Sequence, residues 1–148
     1  MFLKLGNIKG DSLDKVHKGE IDVLSWSWGV SAGTGKTKKG LVPPACIQDL
    51  EFTKFIDRAT PDIILNGVSG ALLPTAKLTV RSSGEMPIEY LHLDMSNVTV
   101  VSYQTGGDTD TSRLSETVLL HFDSMTGGYR PQNPDGSPGT EVPFAVSG

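Results

Sequence analysis

Apolar and polar residues alternate along most of this chain, with the period of two that is typical of half-buried β-strands. The clearest run places Ala76, Leu78 and Val80 on one face, with charged or hydroxyl side chains between them. Residues 82–85 supply a glycine-containing turn and the alternation resumes over 88–93, so these segments predict a β-hairpin. The other predicted strands share this pattern and cover residues 3–5, 21–29, 47–56, 98–103, 118–122 and 142–146.

One segment departs from the alternation and predicts a short helix. The sequence Thr60-Pro61-Asp62 offers an N-cap, a proline in the first turn and an acidic residue near the positive end of the helix. Apolar residues follow at helical spacing, and Gly70 is placed to end the segment. Many strands and one helix predict a mainly β domain, either a closed barrel or a sandwich, that occupies residues 1–148 without a linker.

The composition favours many turns and argues against several functional classes. The chain holds 17 glycines and 9 prolines, which suits many turns between short strands. The net charge of −4 argues against a nucleic-acid partner, and no apolar run approaches the ~20 residues of a membrane-spanning helix, which argues against membrane insertion. Because Cys46 is the single cysteine, intrachain disulfides and cysteine-based metal cages are excluded.

Residue spacings that would support catalysis, metal binding or cofactor binding are missing. Residues 33–37 resemble the end of a phosphate-binding loop, but Val30 stands where that motif needs glycine. The three histidines are scattered along the chain, and no serine lies in a Gly-x-Ser-x-Gly sequence. We therefore expect no enzymatic activity, no metal and no cofactor.

The segment 23–29 is the most unusual local feature, because a strand here has one aromatic face and one face of small side chains. The aromatic face comprises Leu24, Trp26 and Trp28, and the small face comprises Val23, Ser25, Ser27 and Gly29. Two tryptophans in register suit a core whose indole N–H groups find acceptors. The small face suits either the lining of a channel or plain exposure to solvent, and the residues alone leave both interpretations open.

Several longer motifs occur in a characteristic order. They are Ile-Lys-Gly-Asp-Ser at 8–12, His17, the run IDVLSWSWGV at 21–30, Phe-Thr-Lys at 52–54, Thr-Pro at 60–61, Thr-Gly-Gly at 105–107 and Asp-Gly-Ser at 135–137. In these motifs the chain resembles the haemolysin-coregulated protein family, the tube protein of the bacterial type VI secretion system. The resemblance runs from residue 3 to about residue 137.

The resemblance implies a fold and a function. The fold is a two-sheet β-barrel with one flanking short α-helix. The function is that of a structural subunit that forms homohexameric rings, which stack into a tube inside a contractile sheath and carry a spike protein at the tip. Secreted effectors bind in the lumen of the rings. The protein is then cytoplasmic until the type VI apparatus secretes it without a cleaved signal peptide, and no toxin domain is expected after Gly148.

Two sets of residues are predicted to act in such an assembly. Ser25 and Ser27 are predicted to face the lumen and contact effectors. The loop of residues 31–44 is predicted to contact the next ring through Ser31, Thr34, Lys36, Lys38 and Lys39. The alternative is a monomeric β-barrel binding module that recognises a protein partner through the same loop.

Overall fold

The computed structural model describes residues 1–32 and 46–147. Within these ranges the chain forms eleven strands and one helix. In chain order they are β1 (Phe2–Leu5), β2 (Ile21–Asp22), β3 (Ser25–Ser27), β4 (Val30–Ser31), β5 (Cys46–Ile47), β6 (Leu50–Phe55), α1 (Thr60–Ser69), β7 (Leu72–Arg81), β8 (Glu89–Thr105), β9 (Ser115–His121), β10 (Ser124–Tyr129) and β11 (Val142–Ser147). The mainly β class with one short helix is confirmed.

Two antiparallel sheets are present in the described part of the chain. The larger sheet has the strand order β2-β1-β7-β8-β9-β6-β3, with β10 paired to β8 and β11 paired to β10. The smaller sheet pairs β4 with β5. Among the described residues the larger sheet is not closed by a hydrogen-bonded ladder, since β2 and β3 form its two ends. The two-sheet description of the fold therefore holds, with an open sheet in place of a closed barrel.

Strand β8 pairs with three other strands of the larger sheet. Sequence alternation suggested two strands, over 88–93 and 98–103, but the chain continues as one strand of 17 residues. Its first part pairs with β7 and β10, and its last part pairs with β9. Asn97, with φ of 54°, and a bulge between Val100 and Ser102 bend the strand. Such irregularities increase local twist, which lets one strand serve both arms of the sheet.

The core forms where the inward faces of these strands meet. The predicted inward residues Ala76, Leu78 and Val80 are all buried. Their principal neighbours in the cluster are Leu3, Leu5, Ile21, Leu50, Phe52, Leu93, Met95, Val98, Val118 and Leu120. Because this set draws on six strands from both ends of the chain, burial of apolar surface ties distant segments into one unit.

Helix α1 begins one residue earlier than the N-cap motif suggested. Ala59 is the capping residue and makes no side-chain cap, while Thr60 is already helical. Gly70 ends the helix in the left-handed conformation, with φ of 66°, and its N–H bonds to the carbonyl of Asn66, as expected for a glycine at this position. Within the helix only Thr60 and Ile63 are buried.

The predicted strand 21–29 is interrupted by a bend at Val23 and Leu24. The Val23 N–H bonds to the carbonyl of Met1, whereas the Leu24 N–H bonds to the carbonyl of Thr53. The backbone therefore changes its hydrogen-bonding partner between Val23 and Leu24, and the alternation of buried and exposed side chains shifts at this point. Val23 is buried at 7% exposure and Leu24 is 44% exposed, so the facing predicted for these two residues is wrong.

Strand β10 was absent from the predicted strands because Gly127 and Gly128 interrupt its pattern. Both glycines lie in close packing between β8 and β11. A Cβ on Gly127 would lie 2.5 Å from the carbonyl oxygen of His92 and 2.6 Å from the ring of Phe144. Glycine is required at position 127 by the approach of the neighbouring strands, and the two adjacent glycines interrupt the alternation that Met125 would otherwise begin.

Candidate functional site

The small-residue face predicted from the alternation exists in the structure. In β3, Ser25 and Ser27 are exposed, while Trp26 is half-buried and packs against the core. Antiparallel pairing with β6 places Ser25 opposite Thr53 and Ser27 opposite Glu51. The two serines therefore lie on the outer surface of the sheet.

Neighbouring strands extend this surface in two rows, which we call the serine face. One row runs Ser25, Thr53, Thr117 and Gln104, and the other runs Ser27, Glu51, Leu119 and Ser102. The residues between these rows in β6 and β9, such as Phe52 and Val118, are fully buried. The serine face is thus a continuous strip of mostly small, uncharged side chains in which Glu51 is the charged member.

A shallow cavity opens beside Ser27 at one end of the serine face. It has a volume of about 440 Å³ and is lined by Ser27, Cys46, Ile47, Gln48, Asp49, Glu51 and Leu119. Nearby, Asp49 accepts a hydrogen bond from His121 over 2.8 Å. These groups can accept and donate hydrogen bonds to a bound surface.

Aromatic packing supports the serine face from behind. The indole of Trp28 lies 6.4 Å from the ring of Phe144 and 6.5 Å from that of Phe122. Trp28 Nε1 is buried, and no acceptor among the described residues lies within hydrogen-bond distance. Trp26 and Trp28 of the predicted aromatic face therefore pack against the core, whereas Leu24 is exposed. The expected partner of the Trp28 N–H is absent from the described residues.

The predicted inter-ring loop is placed only at its start. Ser31 is exposed in β4, where it pairs with Cys46. Thr34, Lys36, Lys38 and Lys39 lie outside the described residues, as does most of the loop. The structure brings Ser25 and Ser27 together on one face and does not test the loop residues.

A buried polar cluster lies under the start of α1, and no sequence pattern predicted it, because its members are far apart along the chain. Lys54 and Glu116 occupy directly paired positions of β6 and β9 and are both fully buried. The Lys54 ammonium bonds to the Glu116 carboxylate and lies 2.8 Å from Asp57 Oδ1. The Thr60 hydroxyl donates to Glu116 over 2.8 Å, which anchors the first residue of α1 to the sheet.

Tyr103 completes this cluster from β8. Its hydroxyl donates to the second oxygen of Glu116. Burial, together with the adjacent carboxylate, raises the pKa of Tyr103 to about 12, because both disfavour the phenolate. Tyr103 therefore remains a neutral donor throughout the physiological range.

His17 is a buried residue that holds a long loop in place. Its ring stacks on Phe2 with the centroids 4.5 Å apart. Nδ1 lies 2.8 Å from Glu20 and Nε2 lies 2.5 Å from Glu89. Burial alone lowers the pKa of His17, but the bonds to Glu89 and Glu20 outweigh it and raise the pKa above its ordinary value of 6.5.

His92, three residues after Glu89 in β8, makes a similar bridge. Its Nδ1 lies 2.5 Å from Asp94, and its Nε2 bonds to Glu141, which precedes β11. Both ring nitrogens are therefore engaged by carboxylates.

Within residues 1–32 and 46–147, no group of three or more histidine, cysteine or acidic side chains is arranged to hold a metal ion. Nor does this part of the chain contain a helix of the length and apolarity needed to cross a bilayer.

Comparison with known proteins supplies the context for this geometry. Residues 2–129 match the family model described as type VI secretion system effector, Hcp. The chain is 43% identical over 140 residues to the protein hcp1 of Pseudomonas aeruginosa, a match that covers 93% of this chain and 86% of that protein.

Solved structures agree with the sequence matches. A type six secretion system protein superimposes with a TM-score of 0.91 at 28% identity, covering 99% of this chain and 93% of that one. Hcp1 from Salmonella typhimurium gives a TM-score of 0.82 at 29% identity, with coverages of 99% and 92%. The sequence comparison and the structural comparison therefore point to the same set of proteins, and the chain shares their fold.

Proposed function

Because this chain belongs to the Hcp family of type VI secretion system proteins, we propose that it forms hexameric rings in which the serine face lines the lumen. Hexameric rings and effector binding are typical of this family, and the family is one of tube and secreted components, not of enzymes. The role assigned to the chain is accordingly structural: stacked rings form a tube that carries effectors.

The serine face is the observation that supports the lumen assignment. Ser25 and Ser27 sit on the solvent side of a strand whose other side is held by Trp26 and the core. Small, mostly uncharged side chains give a smooth wall along which a folded cargo can pass without strong electrostatic binding. Hydroxyl groups still supply hydrogen bonds to a cargo that is retained.

The same assignment implies further partners, which we also propose. The rings stack inside a contractile sheath, carry a spike protein and leave the cell through the type VI apparatus. Contacts between stacked rings are assigned to Ser31 and to the adjoining loop that contains Thr34, Lys36, Lys38 and Lys39.

Assembly is tested by the mass of the purified protein. Light scattering after size exclusion should give six times the 15.8 kDa of the chain, and negative-stain images should show annular particles. A protein that remains monomeric at every concentration and shows no rings would contradict the tube assignment and favour a monomeric binding module.

The lumen assignment is tested by Ser27→Gln. The larger side chain narrows the wall and alters its hydrogen bonds, so we expect rings to assemble normally while co-purification of an effector falls. The matched control is Ser83→Gln, because Ser83 is also exposed but lies in the turn between β7 and β8, away from β3. Loss of rings in Ser27→Gln would place Ser27 in a subunit contact instead.

A further inference from the structure

Strand β11 is an edge strand that buries none of its side chains fully. Among the described residues it pairs with β10 alone, and Pro143 has no N–H to donate to that ladder. Phe144 and Val146 are half-buried and pack against the core, while the other side chains of the strand are exposed. Elements with few buried apolar contacts open locally at a lower free energy than the core does. Contacts outside the ladder can therefore decide whether β11 stays docked.

One such contact crosses β10, which lies between β8 and β11 in the sheet. Glu141 precedes β11, and its carboxylate bonds to Nε2 of His92 in β8. Gly128 of β10 is paired with His92 on one side and with Pro143 on the other. A Cβ on Gly128 would overlap the Glu141 carboxylate, so glycine at this position leaves room for the bond. The start of β11 is thereby attached to β8 as well as to β10.

The His92 ring lies between two carboxylates. Its Nδ1 lies 2.5 Å from Oδ2 of Asp94, and its Nε2 bonds to Glu141. The side chains of His92 and Glu141 are 32% and 35% exposed. Water therefore reaches the bridge, and His92 can exchange its proton with the solvent while β11 is docked.

Two cavities flank the bridge, and both are lined by His92 and Glu141. The larger cavity, of about 770 Å³, also contains the charged residues Lys77, Glu89 and Arg130, whereas the smaller, of about 510 Å³, adds no further charge. Lys77 of β7 lies 4.0 Å from Asp94, and Glu89 of β8 is bonded to His17. Among the residues that line these cavities, His92 is the one whose charge changes near neutral pH.

The protonation of His92 determines the strength of the bridge. A charged imidazole donates from both nitrogens, and each bond to a carboxylate is then charge-assisted. A neutral imidazole has one N–H, so Glu141 either faces a lone pair or keeps a bond that lacks the positive charge. In both tautomers the attraction for Glu141 falls. Burial alone lowers the pKa of His92, but the bonds to Glu141 and Asp94 outweigh it and raise the pKa above 6.5.

We propose that His92 and Glu141 form a pH-dependent latch, which holds β11 on the sheet while His92 is protonated and loosens it when the ring becomes neutral. Phe144 of β11 stacks on Trp28, which packs behind the serine face. Release of β11 therefore also loosens the packing that supports the serine face. The latch lies within a single chain and does not depend on the proposed ring assembly.

The test is amide hydrogen exchange of residues 142–147, measured by mass spectrometry and expressed as protection factors, which removes the intrinsic effect of pH on exchange. In the wild type we expect protection of β11 to fall as the pH rises from below 6.5 to above that value. The fall should be about fivefold, the ratio that separates a charge-assisted from a neutral hydrogen bond. His92→Gln and Glu141→Gln should each show the lower protection at every pH, and the double variant should lower it no further, because both substitutions remove the same bond.

The matched control is His17→Gln. His17 makes a second histidine–carboxylate bridge at the larger cavity, through Glu89 on β8, so this variant should keep the wild-type pH dependence at residues 142–147. If His92→Gln fails to fold, Glu141→Gln carries the test, because Glu141 lies outside the strands and is partly exposed.

Two results would overturn the inference. One is protection of β11 in the wild type that does not change with pH, and the other is a pH dependence that persists in Glu141→Gln. The measurement reports on β11 in monomers and in rings alike. A chain that never forms rings would therefore contradict the proposed function and leave the latch in place.

Discussion

At the scale of single residues, His17 shows how one side chain organises a loop of more than ten residues. Its two nitrogens bind Glu20, near the end of the loop, and Glu89, at the start of β8. Asp14 in the same loop accepts two hydrogen bonds from Arg81, whose guanidinium lies over the ring of Phe2. These contacts fix residues 11–20 against the sheet without regular secondary structure in the loop.

The protonation of His17 should make stability depend on pH. Because its pKa is raised in the folded chain, its contribution is fully present below pH 6.5 and is lost as the pH rises through the folded-state value. We expect the difference in melting temperature between wild type and His17→Gln to be largest below pH 6.5 and to shrink as the pH rises above that value.

The control for this comparison is His121→Gln. The His121 side chain is 56% exposed and pairs with Asp49, and exposed pairs of this kind contribute about 0–1 kcal/mol. Thermal denaturation of the three proteins across the pH range is the measurement. A gap for His17→Gln that stays constant with pH would show that His17 acts through packing on Phe2 and not through its charge.

At the scale of elements, the buried cluster at Lys54 and Glu116 joins β6, β9 and α1. The pair aligns the two strands, and Thr60 connects the helix to the same carboxylate. Asp57 provides the second acidic partner of Lys54. A buried charge is tolerated only when its partners are in place, so the cluster favours one relative position of helix and sheet.

We expect Lys54→Met to destabilise the chain by about 3–5 kcal/mol, because Glu116 would remain buried without its cation. The double variant Lys54→Met/Glu116→Leu removes both charges and should recover part of that loss. Urea denaturation gives both values. Lys77→Met, at a lysine that is 53% exposed, serves as the control and should change stability little. A double variant less stable than Lys54→Met would contradict this account.

At the scale of the whole molecule, the serine face is an exposed surface to which four strands contribute. It lies on β3, β6, β9 and the last part of β8. Because β8 has 17 residues and its first part pairs with β7 and β10, this one strand connects the proposed lumen wall to the rest of the sheet.

Stacking of rings should respond to salt. Six copies that each carry −4 give a ring with a charge of −24, and rings of like charge repel. Higher ionic strength screens this repulsion, so the fraction of stacked rings should rise between about 0.01 M and 1 M salt. Sedimentation velocity and negative-stain imaging report that fraction. No change with salt, or a fall, would contradict an electrostatic barrier to stacking.

The period of two along the chain was sufficient to predict much of the fold and part of the site. It identified the β7–β8 hairpin, the strand that contains β6 and the last strand, and it separated Ser25 and Ser27 from Trp26. These features are local: side-chain direction in a strand follows from backbone geometry a few residues at a time. The motifs at 8–30 likewise identified the family from sequence.

Only the tertiary structure decided the features that depend on distant partners. The bend at Val23 and Leu24 arises because adjacent N–H groups bond to different strands, and β10 exists because two glycines fit between β8 and β11. Lys54 is buried because Glu116, 62 residues away, is paired with it. The exposure of the α1 apolar residues follows from the side of the helix that meets β8. Local pattern fixes which way each side chain points, but burial and charge pairing are set by segments that meet only when the chain has folded.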